Sequence, residues 1–198
     1  MKTLFLSLMI FAITAMFTGC GLVKPVPYKK VSFSRNIDTD MYKVDQTAAV
    51  VSDLTLTLGR KPTSQTGGWT TLAVPTGKMN AGIAKEFLKQ YFKKVVVNPK
   101  NLDSGIVLKS KILDFEYNYG YHDDTEMTIK IHVTAYNNGK LLFSKDYTET
   151  KDNYIIMNVA TLGGLYGTYV DAAKELFHKL LFDIYESQVK KDLLKSLK

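Results

Sequence analysis

Few side chains in this chain are of the kinds that do chemistry. There is one cysteine, Cys20, and there are three histidines, His122, His132 and His178. A lone thiol cannot close an internal disulfide, so its use must be sought elsewhere. His132 falls on the polar parity of a strand-like segment and His178 on the flank of a helix-like one. Neither has a second histidine at ligand spacing, so both read as structural. His122-Asp123-Asp124 with Glu126 is the one local set that offers a cation both oxygen and nitrogen. It lies where two strands need a turn, and Asp serves turns through its own backbone hydrogen bonds, so no metal site is assigned. Gly-x-Ser-x-Gly elbows and zinc-protease signatures are absent from the sequence. The Gly67-Gly68 and Gly163-Gly164 pairs lack the Lys and helix start of a phosphate loop and read as turns. No catalytic residue and no cofactor is expected.

The surroundings of Cys20 explain it. Lys2 supplies a positive start, and Leu4 to Phe17 is apolar but for Ser7 and Thr14, the composition of a secretion signal. About fourteen residues is short for a bilayer-crossing helix, which takes about 20. The run ends in Phe17-Thr18-Gly19-Cys20, which resembles the lipobox of bacterial lipoproteins, with Phe17 where Leu is usual. The resemblance implies cleavage after residue 19, a diacylglycerol on the Cys20 sulfur and an added fatty acyl chain such as palmitate. Several chains together hold a protein stably at a membrane. Gly21 is not the Asp that retains enteric lipoproteins at the inner membrane, so the expected location is the outer membrane, lipid-anchored and facing the periplasm. An export signal disfavours nucleic acid as a partner. With its thiol acylated, the chain has no cysteine left for catalysis.

Past residue 19 there is length for one domain with a core of its own. Residues 20–46, with Pro25, Pro27, Lys29 and Lys30, read as an extended leader spacing the body off the membrane, with Val31 to Phe33 as a possible edge strand. Residues 47–198 read as the domain. The whole chain carries 26 basic against 19 acidic side chains. This modest excess suits anionic lipid or an acidic partner.

The elements follow from periodicity. Ala48 to Leu58 is rich in β-branched and apolar residues, with Leu54, Leu56 and Leu58 alternating against Thr55 and Thr57 at a period of two; Gly59 to Gly68 reads as a loop, and Trp69 to Val74 is extended again. Met79, Ile83, Ala84, Phe87, Leu88, Tyr91 and Phe92 recur at helical spacing, with Thr76 or Asn80 as the expected cap. Val95 to Val97 is a short strand closed by Asn98-Pro99. In Ile106 to Tyr117 the apolar parity switches, which predicts a bulge near Lys111 to Leu113. Met127, Ile129, Ile131, Val133 and Ala135 alternate with polar residues, Asn137-Asn138-Gly139 predicts a hairpin, and Leu141, Phe143, Lys145 and Tyr147 return. A second helix over Val170 to Ile184 carries its period on toward Leu197. The expected fold is α+β: a mostly antiparallel sheet of about five strands, with two helices on one face.

This order of elements, with the Asn138-Gly139 turn and the terminal helix, resembles the YajG-type lipoproteins and, more loosely, auxiliary lipoproteins of ABC transporters for envelope lipids. Those families imply a periplasmic, non-enzymatic accessory role. Tyr117, Tyr119 and Tyr121 alternate at a strand end, and Tyr154, Tyr166 and Tyr169 surround a glycine-rich loop. Two readings stand for them: tyrosines that pack the sheet edge with their hydroxyls in water, or an amphipathic aromatic surface that serves as a partner contact. The expected function is a membrane-anchored interaction module in envelope transport or assembly, with an envelope protein as partner. The alternatives are a carrier holding an apolar ligand between helices and sheet, and a surface adhesin.

Overall fold

The structure is a computed structural model that describes residues 23–25, 44–60, 71–101, 105–118, 125–153 and 175–197. Eight strands occur among them: β1 (Val23–Pro25), β2 (Val44–Val51), β3 (Leu58–Arg60), β4 (Thr71–Val74), β5 (Phe92–Val97), β6 (Ile106–Asn118), β7 (Thr125–Asn137) and β8 (Lys140–Asn153). Helix α1 spans Thr76–Lys89, and α2 runs over residues 175–196. A five-stranded sheet has the order β5-β2-β6-β7-β8, and a three-stranded sheet the order β1-β4-β3. No helix among the described residues is long and apolar enough to cross a membrane.

The large sheet is mixed, which corrects the antiparallel expectation. β2 pairs parallel with both β5 and β6, and only β6, β7 and β8 form an antiparallel meander. The reason is α1. A helix between two strands carries the chain back to its starting end, so β5 enters beside β2 in the same direction. Asn98 then seals the end of that pair. It adopts φ 46°, its side-chain oxygen accepts from the Ser52 amide at 3.0 Å, and its side-chain amide donates to the Ser52 carbonyl at 2.9 Å.

The expected strand Ala48 to Leu58 is two pieces. β2 stops at Val51 because Asp53 turns the chain, its carboxylate accepting from the Thr55 amide at 2.9 Å and the Thr55 hydroxyl at 2.7 Å. Leu54 is left exposed, and β3 then pairs with β4 in the small sheet. β1 lies inside the segment read as a leader, paired parallel with β4. Pro25 is tolerated there because β1 is an edge strand that can spare an N–H. The Val31 to Phe33 expectation lies outside the described residues.

The bulge is at Leu113. Pairing between β6 and β7 shifts between Ile112 and Asp114, so Leu113 is extruded and exposed, while Ile112, Phe115 and Tyr117 all reach the core. The β7–β8 turn is a two-residue loop with Asn138 at φ 49° and Gly139 at φ 78°, the primed turn that asparagine followed by glycine favours. A second shift leaves Leu142 as the extra residue of β8. Leu141 is thereby placed opposite Tyr136, on the outer face, while Phe143 and Tyr147 point into the core.

Both helices cover the same face. α1 packs on β2, β5 and β6, and α2 on β8 and on Phe115, whose ring meets Phe177 edge-on at 5.7 Å. Every inward residue of β7 from Met127 to Ala135 is fully buried, with Met127, Ile129, Ile131 and Val133 each contributing about 1.5–3 kcal/mol. Phe177, Leu181, Tyr185, Val189 and Leu193 recur every four residues and are all buried. A 3.6-residue turn would drift by about 40° at each such step. A π-turn at Ile184–Val189 takes up the extra residue and keeps the row on the sheet.

Candidate functional site

Two side-chain constellations stand out, one inside the two-layer body and one on its open face. The inner one joins α1, β6 and α2. Asn80 Nδ2 donates to Ser110 Oγ at 2.9 Å, the Tyr185 hydroxyl donates to Asn80 Oδ1 at 2.8 Å, and Tyr185 and Ser110 oxygens lie 2.6 Å apart. Ser52 Oγ accepts from the same amide at 3.5 Å. All four residues are buried. Burial pushes the Tyr185 phenol far above its ordinary range, with the Ser110 hydrogen bond opposing, so it stays a neutral donor at any physiological pH. Asn80 was expected as a helix cap. The network takes its side chain instead, and α1 starts after Pro75 with no side-chain cap, while the Thr76 hydroxyl donates to the Leu56 carbonyl at 3.3 Å. Unreactive groups with mutual partners make this a positioning device for three elements.

The outer constellation lies on β7 and β8, facing away from both helices. His132 sits opposite Asp146, and Thr134 opposite Ser144. His132 Nδ1 is 2.6 Å from Asp146 Oδ1, and its Nε2 is 3.1 Å from Ser144 Oγ and 3.2 Å from Thr134 Oγ1. Lys130 adds an ion pair to Asp146 at 3.1 Å. The His132 contact first, and Lys130 second, hold the Asp146 carboxyl below its usual range. Asp, His and Ser in this order resemble a hydrolytic relay, but the setting does not. The side chains of His132 and Asp146 are each more than two-fifths exposed on a strand surface, open to the water that an acyl-transfer site has to exclude. The Ser144 hydroxyl is also shared with Thr134 at 3.0 Å. This is a polar cross-strand ladder of the kind that stabilises sheets.

One row of that outer face is apolar across all five strands. Val96 pairs with Ala49, Ala49 with Val107, Val107 with Tyr136, and Tyr136 with Leu141. Ala49 and Val107 are buried, and Leu141 is 53 % exposed. Lys109 Nζ lies 4.9 Å from the centre of the Tyr136 ring. Lys94, two residues before Val96 and exposed, falls on the same face beside the row. An apolar band rimmed by cations can receive an apolar surface with an acidic border.

The sequence-derived sites fare unevenly. Tyr117 is 1 % exposed and belongs to the core, so it is no part of a partner surface. The Leu113 bulge is what turns its side chain inward. Tyr119, Tyr121, Tyr154, Tyr166 and Tyr169 lie outside the described residues, as do Cys20, His122, Asp123 and Asp124. Glu126 is exposed at the start of β7. His178 is buried on α2. No cluster of three or more His, Cys, Asp or Glu side chains suited to a metal occurs among the described residues. The outer band was missed because Ala49 and Leu141 look unremarkable along the chain. Only the Leu142 bulge and the strand order bring them into one row.

No family model matches this chain, and no curated protein matches it. Solved structures are similar to it. A Xanthomonas campestris protein assigned to the family DUF330 has a TM-score of 0.52 at 11 % identity, over 89 % of this chain and 99 % of that one. The rare lipoprotein B of Shewanella oneidensis has a TM-score of 0.44 at 11 % identity, over 76 % of this chain and 98 % of that one. A minor lipoprotein of Acinetobacter baumannii has a TM-score of 0.41 at 10 % identity, over 78 % and 93 %. The first shows the architecture, and several similar structures carry the name of bacterial lipoproteins.

Proposed function

We propose that this chain is exported, acylated on Cys20 and held at the periplasmic side of the outer membrane, where it serves as a non-enzymatic module that binds an envelope protein. The observation that carries the binding role is the band Val96–Ala49–Val107–Tyr136–Leu141, bordered by Lys94 and Lys109 on the face opposite both helices. Its partner is an apolar protein surface with an acidic border. The carrier alternative has less support. The space between helices and sheet holds Phe87, Phe115, Phe177, Met79 and Tyr185, each nearly fully buried, and an acyl chain would have to displace them.

The test is a photo-crosslinking amino acid at position 141 in the native envelope, with position 116 as control. Glu116 is exposed on β6, beyond the bulge from the band. A single envelope protein captured at 141 and not at 116 supports the reading. Equal capture at both, or none, overturns it. The mass of the N-terminal peptide of the native protein tests the acyl group on Cys20 separately.

A further inference from the structure

The leader, which the sequence suggests is a spacer, is tied into the fold almost at once. β1 begins at Val23, three residues after Cys20, and pairs with β4 through Val23 and Thr71, Lys24 and Leu72, and Pro25 and Ala73. β4 pairs with β3, and β3 is joined to the large sheet by Arg60, whose Nε donates to the Phe115 carbonyl at 3.1 Å and whose guanidinium pairs with Asp114.

Chain length then limits where the membrane can be. Three residues reach about 10 Å when fully extended, and neighbouring strands lie about 4.8 Å apart. Thr71 therefore sits within about 15 Å of the Cys20 backbone. A leader free as far as Val44 would reach about 80 Å at full stretch, and about 27 Å on average as a flexible coil.

We propose that the three-stranded sheet is the membrane-facing end of the molecule, with the lipid bilayer itself as the occupant of that end. This rests on the acylation of Cys20 proposed above. The anchor works as a short clamp, and the body is held at one end with its outer band directed along the membrane or away from it, free for a protein partner. The β7–β8 turn lies at the other end. Ile106, opposite Asn137, is nine positions along β6 from Phe115, the point where Arg60 attaches, or about 30 Å along the strand.

The experiment uses the full chain, processed in cells and reconstituted into phosphatidylethanolamine and phosphatidylglycerol vesicles carrying headgroup acceptor dyes. Acylation consumes the native thiol, so Thr71→Cys and Lys140→Cys each offer one site for a donor dye. Gly59→Cys, on the exposed β3 strand, replaces the first position if that variant does not fold. We expect at least twofold more energy transfer from position 71 or 59 than from 140. Insertion of twelve Gly/Ser residues between Gly21 and Leu22 should remove the difference. Equal transfer from both positions in vesicle-bound, acylated protein, or no effect of the insertion, overturns the clamp and leaves the anchor standing. Protein that stays soluble and takes up two dyes overturns the anchor and the clamp together.

Discussion

Tyr185→Phe isolates one hydroxyl in the core without changing its packing, and the structure sets what its loss should cost. The hydroxyl donates to Asn80 Oδ1 at 2.8 Å and lies 2.6 Å from Ser110 Oγ. When it goes, Asn80 and Ser110 keep each other, through contacts at 2.9 and 3.2 Å. No buried polar atom is stranded by the change, so the full desolvation penalty does not apply. Two net hydrogen bonds of about 0.5–1.5 kcal/mol each remain to be lost, less some gain from removing a buried polar group. The expected destabilisation is about 1–2 kcal/mol, or a fall in Tm of about 2–8 °C for a domain of this size. Asn80→Ala should cost more, about 2–4 kcal/mol, because it removes the hub amide and opens a cavity between α1 and β6. The assay is urea unfolding followed by circular dichroism, with the slope of the transition unchanged. The double variant should cost less than the sum of the two, since both remove the same Tyr185–Asn80 bond. The same hydroxyl sets an alkaline limit. Its folded pKa is raised above the ordinary 10.0, so its contribution is intact below pH 10 and is lost as pH rises above it, when the unfolded chain ionises and the folded one does not. That alkaline loss should be smaller in Tyr185→Phe. A Tyr185→Phe protein as stable as the parent, with an unchanged alkaline limb, would refute the network.

Other positions give sharper contrasts. Leu113→Ser should change stability by less than about 0.5 kcal/mol, whereas Ile112→Ala should cost about 2–4 kcal/mol by chemical denaturation, because the bulge exposes one side chain and buries the other. Gly77→Ala should cost about 3 kcal/mol or more, since a Cβ there would overlap the Asp53 carbonyl oxygen. Asp192→Asn should cost under about 1 kcal/mol at neutral pH and flatten the acid limb. Lys145 first, then Tyr147, keep the Asp192 carboxyl ionised in the fold, so its contribution is present above the ordinary 3.8 and fades as pH falls below it.

The elements that sequence revealed are those with one dominant period. β7 alternates without interruption, α1 keeps its apolar stripe, and Asn138-Gly139 dictates its own turn, so each was legible from a window of ten or so residues. The Leu113 bulge was legible for the same reason, as a break in an otherwise strict parity. What was not legible depends on contacts distant in sequence. Nothing in Leu54, Leu56 and Leu58 says that Asp53 has already turned the chain. The direction of β5 is decided by the crossover through α1, not by Val95-Val96-Val97. Tyr117 looked like a surface residue because a tyrosine on an alternating strand fits either face, and only the β6–β7 register assigns it to the core. The four-residue spacing from Phe177 to Leu193 did carry a signal, since a π-turn is the local remedy for it.

Arg60 is one link between the two sheets, and it can be tested by itself. β2 ends at Val51, opposite Lys109, while β6 runs on to Asn118. Past that point the edge of β6 is approached by β3, through the Arg60 contacts to Asp114 and the Phe115 carbonyl. Both Arg60 and Asp114 are more than two-fifths exposed, so the pair is worth at most about 1 kcal/mol to global stability. Arg60→Ala should therefore leave the midpoint of urea unfolding within that margin. Its local effect should be larger, because β3 and β4 are short and this side chain, together with the core packing of Val74 and Leu58, ties them to the large sheet. Amide hydrogen exchange in β3 and β4 should accelerate, while protection in β6, β7 and β8 stays unchanged. Such a result would separate a loosely held three-stranded unit from a rigid five-stranded one. A uniform loss of protection across both sheets would instead show that they open together and that Arg60 is not their hinge.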